Sequence, residues 1–287
     1  EDATSGAARA RESGCDVVVA IGGGSAIDLA KAIAALAPNR GGALDYLEVV
    51  GKGMPLERDP LPVVAVPTTA GTGSEVTRNA VLASPAHGVK ASLRHAKMIP
   101  HAAIVDPELT LTLPRSVTAC TGLDALTQLI EPSVSTRANP FTGALCREAI
   151  PRAIAALRAL ARNLDDLDAR QEMSFASLCG GIALANSGLG AVHGFAAAIG
   201  GMFPAPHGAV CARLLPLVIE ANRRGLEWLE DARELVEAFE IPGLARWGVR
   251  EEHVSELAAK ATRASSMKTN PAPLTESELQ DILRQAL

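Results

Sequence analysis

This 287-residue chain lacks the cysteine pattern of a disulfide-bonded protein. Its five cysteines are odd in number, widely separated and free of any Cys-x-x-Cys pair, which excludes a disulfide framework of the secreted kind. The opening residues Glu1, Asp2 and Ala3 lead into neither a basic segment nor the apolar run of a secretory signal. Both absences favour a cytoplasmic protein.

Clusters of basic residues are also missing. The net charge is −5 and the lysines and arginines are scattered, so the chain has no positive stripe that would bind phosphate backbones. We therefore expect no nucleic-acid partner. A hydrophobic fraction of 48% with 21% charged residues is typical of globular proteins, and the length exceeds what one small core needs.

A third absence concerns charge along the chain. Residues 173–212 contain no Asp, Glu, Lys or Arg, and His193 and His207 are the two histidines in this stretch. A membrane-spanning helix needs about 20 predominantly apolar residues, but several glycines, Asn186 and two prolines interrupt the stretch. The pattern favours close-packed internal helices and no membrane span.

Strands and helices alternate in the first part of the chain. A helix-forming segment at 3–13 is followed by a β-branched run at 16–21, which closes on glycines and predicts a buried parallel strand. Apolar residues at helical spacing predict a helix at 25–36. Strand character returns at 61–66 and 103–106. This alternation is typical of a nucleotide-binding α/β layer.

After Pro114 the pattern changes to consecutive helices. We predict helices at 115–135, 142–164, 166–186, 209–223, 229–240, 251–264 and 276–287. The chain therefore divides into an α/β domain, 1–114, with a parallel sheet, and an all-helical domain, 115–287.

Two glycine-bearing loops follow predicted strands, at the sheet edge where open α/β sheets bind ligands. The first, Gly22 to Ser25, would let a pyrophosphate approach the start of a helix, although a plain tight turn fits its sequence equally well. The second, Pro67 to Glu75, carries four hydroxyls and two glycines; it fits either a phosphate and ribose contact or a solvated loop with capping hydroxyls.

A metal site is indicated in the second half. Asp124 and Gln128 are spaced i,i+4, so both side chains leave the same face of a helix. His193 and His207 add two further donors. Each residue alone also fits a plain structural role, Asp124 as part of a capping box and each histidine as a hydrogen-bonded core group.

Four ordered motifs resemble the iron-dependent (group III) alcohol dehydrogenases. They are Gly22-Gly-Gly-Ser-Ala-Ile-Asp28, Pro67-Thr-Thr-Ala-Gly-Thr-Gly-Ser-Glu-Val-Thr77, Gly122-Leu-Asp-Ala-Leu-Thr-Gln-Leu-Ile-Glu131, and the pair Val192-His-Gly194 with Pro206-His-Gly208. The resemblance implies a dehydroquinate synthase-like architecture, with an N-terminal dinucleotide-binding domain, here without its first strand and helix, and a helical metal and substrate domain. It also implies NAD or NADP, a divalent metal, a small alcohol or aldehyde substrate, and a homodimer or larger homo-oligomer.

The resemblance assigns roles to individual positions. Cofactor contacts would come from Gly23, Gly24, Ser25, Asp28, Thr68, Thr69, Thr72 and Lys90. Lys90 also fits an exposed charge on a hairpin. The metal ligands would be Asp124, Gln128, His193 and His207. The expected reaction is reversible hydride transfer to or from nicotinamide, with Fe²⁺ or Zn²⁺ polarising the substrate oxygen.

Two positions depart from the family pattern. Gln128 stands where the family usually has a histidine ligand, so nitrogen-preferring metals should bind less tightly, and either the amide oxygen coordinates a weakly held metal or the site is metal-free. Ala197 stands where many relatives carry a further, non-ligating histidine. Two alternatives therefore stay open: a metal-independent reductase of the maleylacetate reductase kind, and a non-catalytic nucleotide-binding protein.

Overall fold

The computed structural model describes residues 2–87 and 89–287. Its first half contains the helices α1 (Asp2–Glu12), α2 (Gly24–Leu36) and α3 (Ala43–Tyr46), and the strands β1 (Val18–Gly22), β2 (Val63–Pro67), β3 (Asn79–Ser84), β4 (Val89–Arg94) and β5 (Ala102–Ala103). Helix α2 begins directly after the glycine turn at the end of β1 and buries Ile27 and Ala30 against the sheet.

Strands β1, β2 and β5 form a parallel sheet in that order. Val18 pairs with Val63 and Gly22 with Pro67, so β1 and β2 end at the same edge. The loops that follow these two strands are therefore neighbours, as the carboxyl ends of parallel strands require. Strands β3 and β4 form a separate antiparallel hairpin.

The second half is helical. Its α-helices are α4 (Arg115–Val134), α5 (Pro140–Arg162), α6 (Leu167–Ser187), α7 (Ala191–Met202), α8 (His207–Asn222), α9 (Leu229–Ala238), α10 (Val254–Arg263) and α11 (Glu276–Ala286). Helix α4 lies at the centre and packs against α5, α6 and α8. Every residue of α4 from Gly122 to Pro132 is buried, so almost every face of this part of the helix contacts protein.

The predicted fold class is confirmed: a parallel sheet with helices in the first half and a helical second half. Helix α4 begins immediately after Pro114, where we place the domain boundary. Strand β5 is shorter and earlier than the predicted 103–106. The sequence pattern assigned no bounds to α7, because its twelve residues include three glycines and no Asp, Glu, Lys or Arg to mark an exposed face.

Among the described residues, no single helix is both long and apolar enough for a membrane crossing. Helices α6 and α7 together reach that length and composition, but a bend of 97° separates them.

Candidate metal centre and dinucleotide loops

The two glycine-bearing loops meet at the edge of the sheet. The amide of Thr68 donates to the carbonyl of Gly22 at 3.0 Å. A methyl group on Gly23 would lie 3.2 Å from Cγ2 of Thr69, and one on Gly24 would lie 2.6 Å from Cγ2 of Thr72. Glycine at these positions therefore lets the loops form one continuous surface at the start of α2, the arrangement that suits a pyrophosphate.

A buried ion pair beneath this surface holds the second loop in place. Nζ of Lys31 lies 3.0 Å from Oδ1 of Asp28 and donates to the carbonyl of Ser74 at 2.9 Å. Lys31 is 1% exposed. Burial lowers the pKa of the lysine, while the Asp28 carboxylate opposes that shift. A buried charge of this kind is stable only because it is paired and hydrogen-bonded.

Asp28 occupies both of its carboxylate oxygens within the protein. Oδ1 also accepts a hydrogen bond from the hydroxyl of Ser74, and Oδ2 accepts one from the amide of Val81 at 2.9 Å. The role of Asp28 towards the cofactor stays a prediction. The observed contacts tie α2 to the second loop and to β3.

The remaining predicted cofactor residues differ in exposure. Ser25 is exposed at the first turn of α2, and Thr68, Thr69 and Thr72 are half-buried in the second loop. Lys90 lies on β4 with an exposed side chain, and β4 packs against α7. Contact of these side chains with a dinucleotide stays a prediction.

Close backbone contacts join the second loop to the helical half. A methyl group on Gly71 would lie 2.6 Å from Cβ of Thr121 on α4. One on Gly73 would lie 2.4 Å from Cα of Gly181 on α6. Thr121 precedes Asp124 by about one helical turn, so the loop lies beside the predicted metal ligands.

Asp124 and Gln128 are both buried on α4, 3% and 4% exposed. Nε2 of Gln128 donates to Oδ2 of Asp124 at 3.0 Å. The nitrogen end of the amide must face the carboxylate, because an ionised carboxylate only accepts hydrogen bonds. Ligation of a metal through the other end, Oε1 of Gln128, stays a prediction.

The two predicted histidines converge on Asp124 from separate helices. His193 lies in the first turn of α7, and its Nε2 is 3.4 Å from Oδ1 of Asp124. His207 begins α8, and its Nε2 is 3.8 Å from the same oxygen. The His207 side chain is 44% exposed, whereas that of His193 is 8% exposed. The group is thus open on one side, as catalytic metal sites are.

Glu131 fixes the ring of His193. Its Oε2 lies 2.6 Å from Nδ1 of His193, and its Oε1 accepts a hydrogen bond from the amide of Val192 at 2.7 Å. With Nδ1 as the donor to Glu131, the neutral ring leaves Nε2 of His193 free to bind a cation on the side that faces Asp124. Sequence reasoning missed this role, although Glu131 follows Asp124 by seven residues and so shares its helix face.

Cys211 is a further member of the group that sequence reasoning missed. Its sulfur lies 3.7 Å from Nε2 of His207 and 4.0 Å from Nε2 of His193. One potential ligand atom from each of Asp124, His193, His207 and Cys211 lies within 4.8 Å of the others. The signal was present, because Cys211 follows His207 by four residues on α8, the same spacing that joins Asp124 and Gln128.

These residues fit a divalent cation. Oδ1 of Asp124 and Oε1 of Gln128 are buried side-chain oxygens that accept no hydrogen bond from the described residues. Burial alone would raise the pKa of the Asp124 carboxyl, but His207 and His193 outweigh burial and hold that pKa below its ordinary value. Burial disfavours protonated His193, but Cys211 and Glu131 outweigh it and raise the pKa of His193 well above its ordinary value. The cluster therefore favours positive charge, which a metal ion supplies in place of protons.

Comparisons with known proteins show which family the chain resembles. The family model "Iron-containing alcohol dehydrogenase" matches residues 1–107, and "Fe-containing alcohol dehydrogenase family, C-terminal" matches residues 118–239. The chain is 36% identical over 310 residues to the NAD-dependent methanol dehydrogenase of Bacillus methanolicus, covering 96% of this chain and 78% of that protein.

Solved structures show the same likeness. A 1,3-propanediol oxidoreductase superposes with a TM-score of 0.89 at 35% identity, covering 99% of this chain and 80% of that one. A sulfoacetaldehyde reductase from Bifidobacterium kashiwanohense, solved in complex with NAD⁺, superposes with a TM-score of 0.89 at 28% identity, covering 98% and 78%. The resemblance seen in the motifs is confirmed: this chain belongs to the iron-containing alcohol dehydrogenase family.

Proposed function

We propose that this chain is an NAD(P)-dependent alcohol dehydrogenase, which interconverts a small alcohol and its aldehyde at a site where Asp124, His193 and His207 hold one divalent cation. The observation that carries the proposal is the convergence of these three side chains beside the two glycine-bearing loops. Family membership supports it, since the methanol dehydrogenase relative is named as NAD-dependent.

The dinucleotide would lie across the surface formed by the two loops. The free amides at the start of α2, from Gly24 and Ser25, would face the pyrophosphate, because a helix N-terminus favours negative charge. The hydroxyls of Thr68, Thr69 and Thr72 supply short polar contacts on the opposite side. Lys31 and Asp28 hold this second loop from below, so the binding surface exists before the cofactor arrives.

Asp124, His193 and His207 would hold Fe²⁺ or Zn²⁺. A cation held there supplies Lewis-acid polarisation of the substrate oxygen, while the nicotinamide supplies or accepts the hydride. Glu131 keeps Nε2 of His193 directed at the site. The exposed edge of His207 marks the side from which a substrate enters.

The walls of the site favour an uncharged substrate. Residues 173–212 contribute no Asp, Glu, Lys or Arg to the surroundings of His193 and His207. Residues 173–212 therefore supply no Lys or Arg that could pair with a carboxylated or phosphorylated substrate. Leaving such a charge unpaired in a buried site is costly. A short alcohol or aldehyde fits these walls best. We also propose a homodimer or larger homo-oligomer, which light scattering of the purified chain tests.

The decisive experiment combines cofactor and metal dependence. The protein is stripped with a chelator, reloaded with Fe²⁺ or Zn²⁺, and assayed with short primary alcohols and NAD⁺ or NADP⁺ by absorbance of the reduced cofactor. We expect turnover to disappear on stripping and to return on reloading. Undiminished turnover in the stripped protein would instead support the metal-independent reductase, and failure to bind either reduced cofactor would refute a dehydrogenase.

A further inference from the structure

We propose that Cys211 is a metal ligand of this site, binding as a thiolate together with Asp124, His193 and His207. The inference rests on the proposed function, because it concerns the same cation. It assigns the fourth protein position to a sulfur on α8 rather than to the amide oxygen of Gln128 on α4.

The distances within the group match one tetrahedral ion. Donors held about 2.0–2.3 Å from a common centre at tetrahedral angles stand roughly 3.3–3.6 Å apart. Oδ1 of Asp124 is 3.4 Å from Nε2 of His193 and 3.8 Å from Nε2 of His207. The sulfur of Cys211 is 3.7 Å from the second of these nitrogens and 4.0 Å from the first. Four of the six distances are thus within about half an ångström of the tetrahedral values, and the other two are at most 4.8 Å.

The sulfur of Cys211 has polar groups on the side that faces His193 and His207. A buried free cysteine normally packs as a small hydrophobic group, and Cys211 is 0% exposed. Its sulfur nevertheless faces two imidazole nitrogens. The carboxylate oxygen that completes this pocket, Oδ1 of Asp124, is buried and accepts no hydrogen bond from the described residues. A buried oxygen of this kind points to a bound cation.

Gln128 then acts as a positioning residue. Its amide nitrogen holds Oδ2 of Asp124 at 3.0 Å, which turns Oδ1 towards the histidines and the sulfur. An amide hydrogen bond of this kind resembles the outer-shell contacts that orient ligating carboxylates. The hydrogen bond gives the side chain a task in the site that needs no ligand atom, although its Oε1, like Oδ1 of Asp124, accepts no hydrogen bond from the described residues.

A thiolate changes which metal the site favours. Sulfur ligands select softer cations, and Zn²⁺ is commonly bound by mixed sets of Cys, His and Asp. Asp124 and the Cys211 thiolate together carry two negative charges, which balance a divalent cation. We therefore expect a stronger preference for Zn²⁺ over Mn²⁺ and Fe²⁺ than a site with nitrogen and oxygen donors alone would show.

X-ray absorption at the zinc edge tests the proposal on the full chain loaded with one equivalent of Zn²⁺. We expect one sulfur scatterer at about 2.3 Å together with nitrogen or oxygen scatterers at about 2.0–2.1 Å. Cys211→Ser and Cys211→Ala should lose the sulfur shell. The alanine variant should also bind Zn²⁺ at least about 100-fold more weakly, since loss of an outer-shell partner alone costs 10–100-fold.

Cys120→Ala is the matched control. Cys120 lies on α4 about one turn before Asp124 and is partly buried, but it is outside the four-residue group. This variant should keep the sulfur shell and the affinity of the unaltered protein. Circular dichroism tests whether each variant is folded. If a Cys211 variant does not fold, the X-ray absorption spectrum of the unaltered protein still shows whether a sulfur atom binds the zinc ion.

The outcomes separate this inference from the proposed function. One bound Zn²⁺ with nitrogen and oxygen scatterers but no sulfur would overturn the role of Cys211 and leave the metal-dependent dehydrogenase standing. Absence of any bound Zn²⁺ would overturn the role of Cys211, and absence of bound Fe²⁺ as well would overturn the metal-dependent dehydrogenase. A sulfur shell that survives in Cys211→Ala would also overturn the assignment.

Discussion

Glu131 and His193 meet between α4 and α7, with Oε2 of the carboxylate 2.6 Å from Nδ1 of the imidazole. The same carboxylate accepts a hydrogen bond from the amide of Val192 at the start of α7. One side chain therefore fixes both the position of the helix and the orientation of the histidine that it carries. The metal centre depends on this contact, because it decides which nitrogen of His193 faces Asp124.

Glu131→Gln should weaken metal binding about 10–100-fold, the usual effect of losing an outer-shell partner. A glutamine offers one oxygen, whereas Nδ1 of His193 and the amide of Val192 both donate, so one donor would face the NH₂ group. Competition with a chromogenic chelator measures the affinity. Glu148→Gln, which removes an exposed carboxylate on α5, is the control, and equal affinities in the two variants would contradict the role of Glu131.

Gly181→Ala should disturb the contact between α6 and the second loop. Its methyl group would lie 2.7 Å from the carbonyl oxygen of Gly73, and such overpacking costs about 1–3 kcal/mol. We expect the NADH dissociation constant to rise about tenfold, equivalent to about 1.4 kcal/mol, in a fluorescence titration.

Gly200→Ala is the matched control for this prediction. Gly200 is also helical, but a methyl group there would meet no atom of the described residues within 4 Å apart from the backbone of its own helix. The substitution should leave NADH binding unchanged and raise the free energy of unfolding by up to about 1 kcal/mol, because alanine favours helices over glycine. Equal effects of the two variants on NADH binding would argue against a loop held by glycine contacts.

Lys31→Met should lower the free energy of unfolding by about 3–5 kcal/mol, because it leaves the Asp28 carboxylate without its buried partner. Urea denaturation followed by circular dichroism measures the loss. Lys260→Met breaks an exposed pair with Glu256 on α10 and should cost no more than about 1 kcal/mol. A similar small cost for both variants would show that the ion pair below the loop contributes little.

Glu75→Gln should change the pH dependence of stability. Burial raises the pKa of Glu75 above its ordinary 4.5, with Lys31 opposing the shift. Below pH 4.5 the Glu75 carboxyl is protonated in both the folded and the unfolded chain. Above pH 4.5 it ionises first in the unfolded chain, so the folded protein loses stability as the pH rises. Between about pH 4 and pH 7, the melting temperature of the variant should therefore rise relative to that of the unaltered protein as the pH rises. A difference independent of pH would contradict this.

Periodicity predicted most of the fold, because most helices of the second half keep a polar face. Helix α10, with Leu257, Ala258 and Ala261 buried and charged residues opposite, is one such case. Helix α7 contains three glycines and no Asp, Glu, Lys or Arg, so its bounds could not be predicted. Strand β5 is limited to two residues because its pairing with β2 covers only Ala102 and Ala103, a tertiary effect that local sequence does not carry.

The candidate site, like the fold, could be predicted only in part from the sequence. Asp124, His193 and His207 were predicted to converge, and the structure brings them together. The tasks of Glu131 and Cys211 were not predicted, although both lie at helical spacing from predicted ligands. Their side chains become informative only when α7 and α8 are placed against α4, since helical spacing alone does not say what faces a residue. The same holds for Lys31, whose hydrogen-bond partners Ser74 and Thr77 lie more than 40 residues away.

Metal content tests the central claim most directly. The protein and an Asp124→Asn variant, which keeps the shape of the side chain and removes its charge, are equilibrated with Zn²⁺, dialysed and analysed by inductively coupled plasma mass spectrometry. We predict one zinc ion per chain in the unaltered protein and near-complete loss in the variant. Equal zinc in both proteins, or none in the unaltered protein, would contradict a metal centre built on Asp124, His193 and His207.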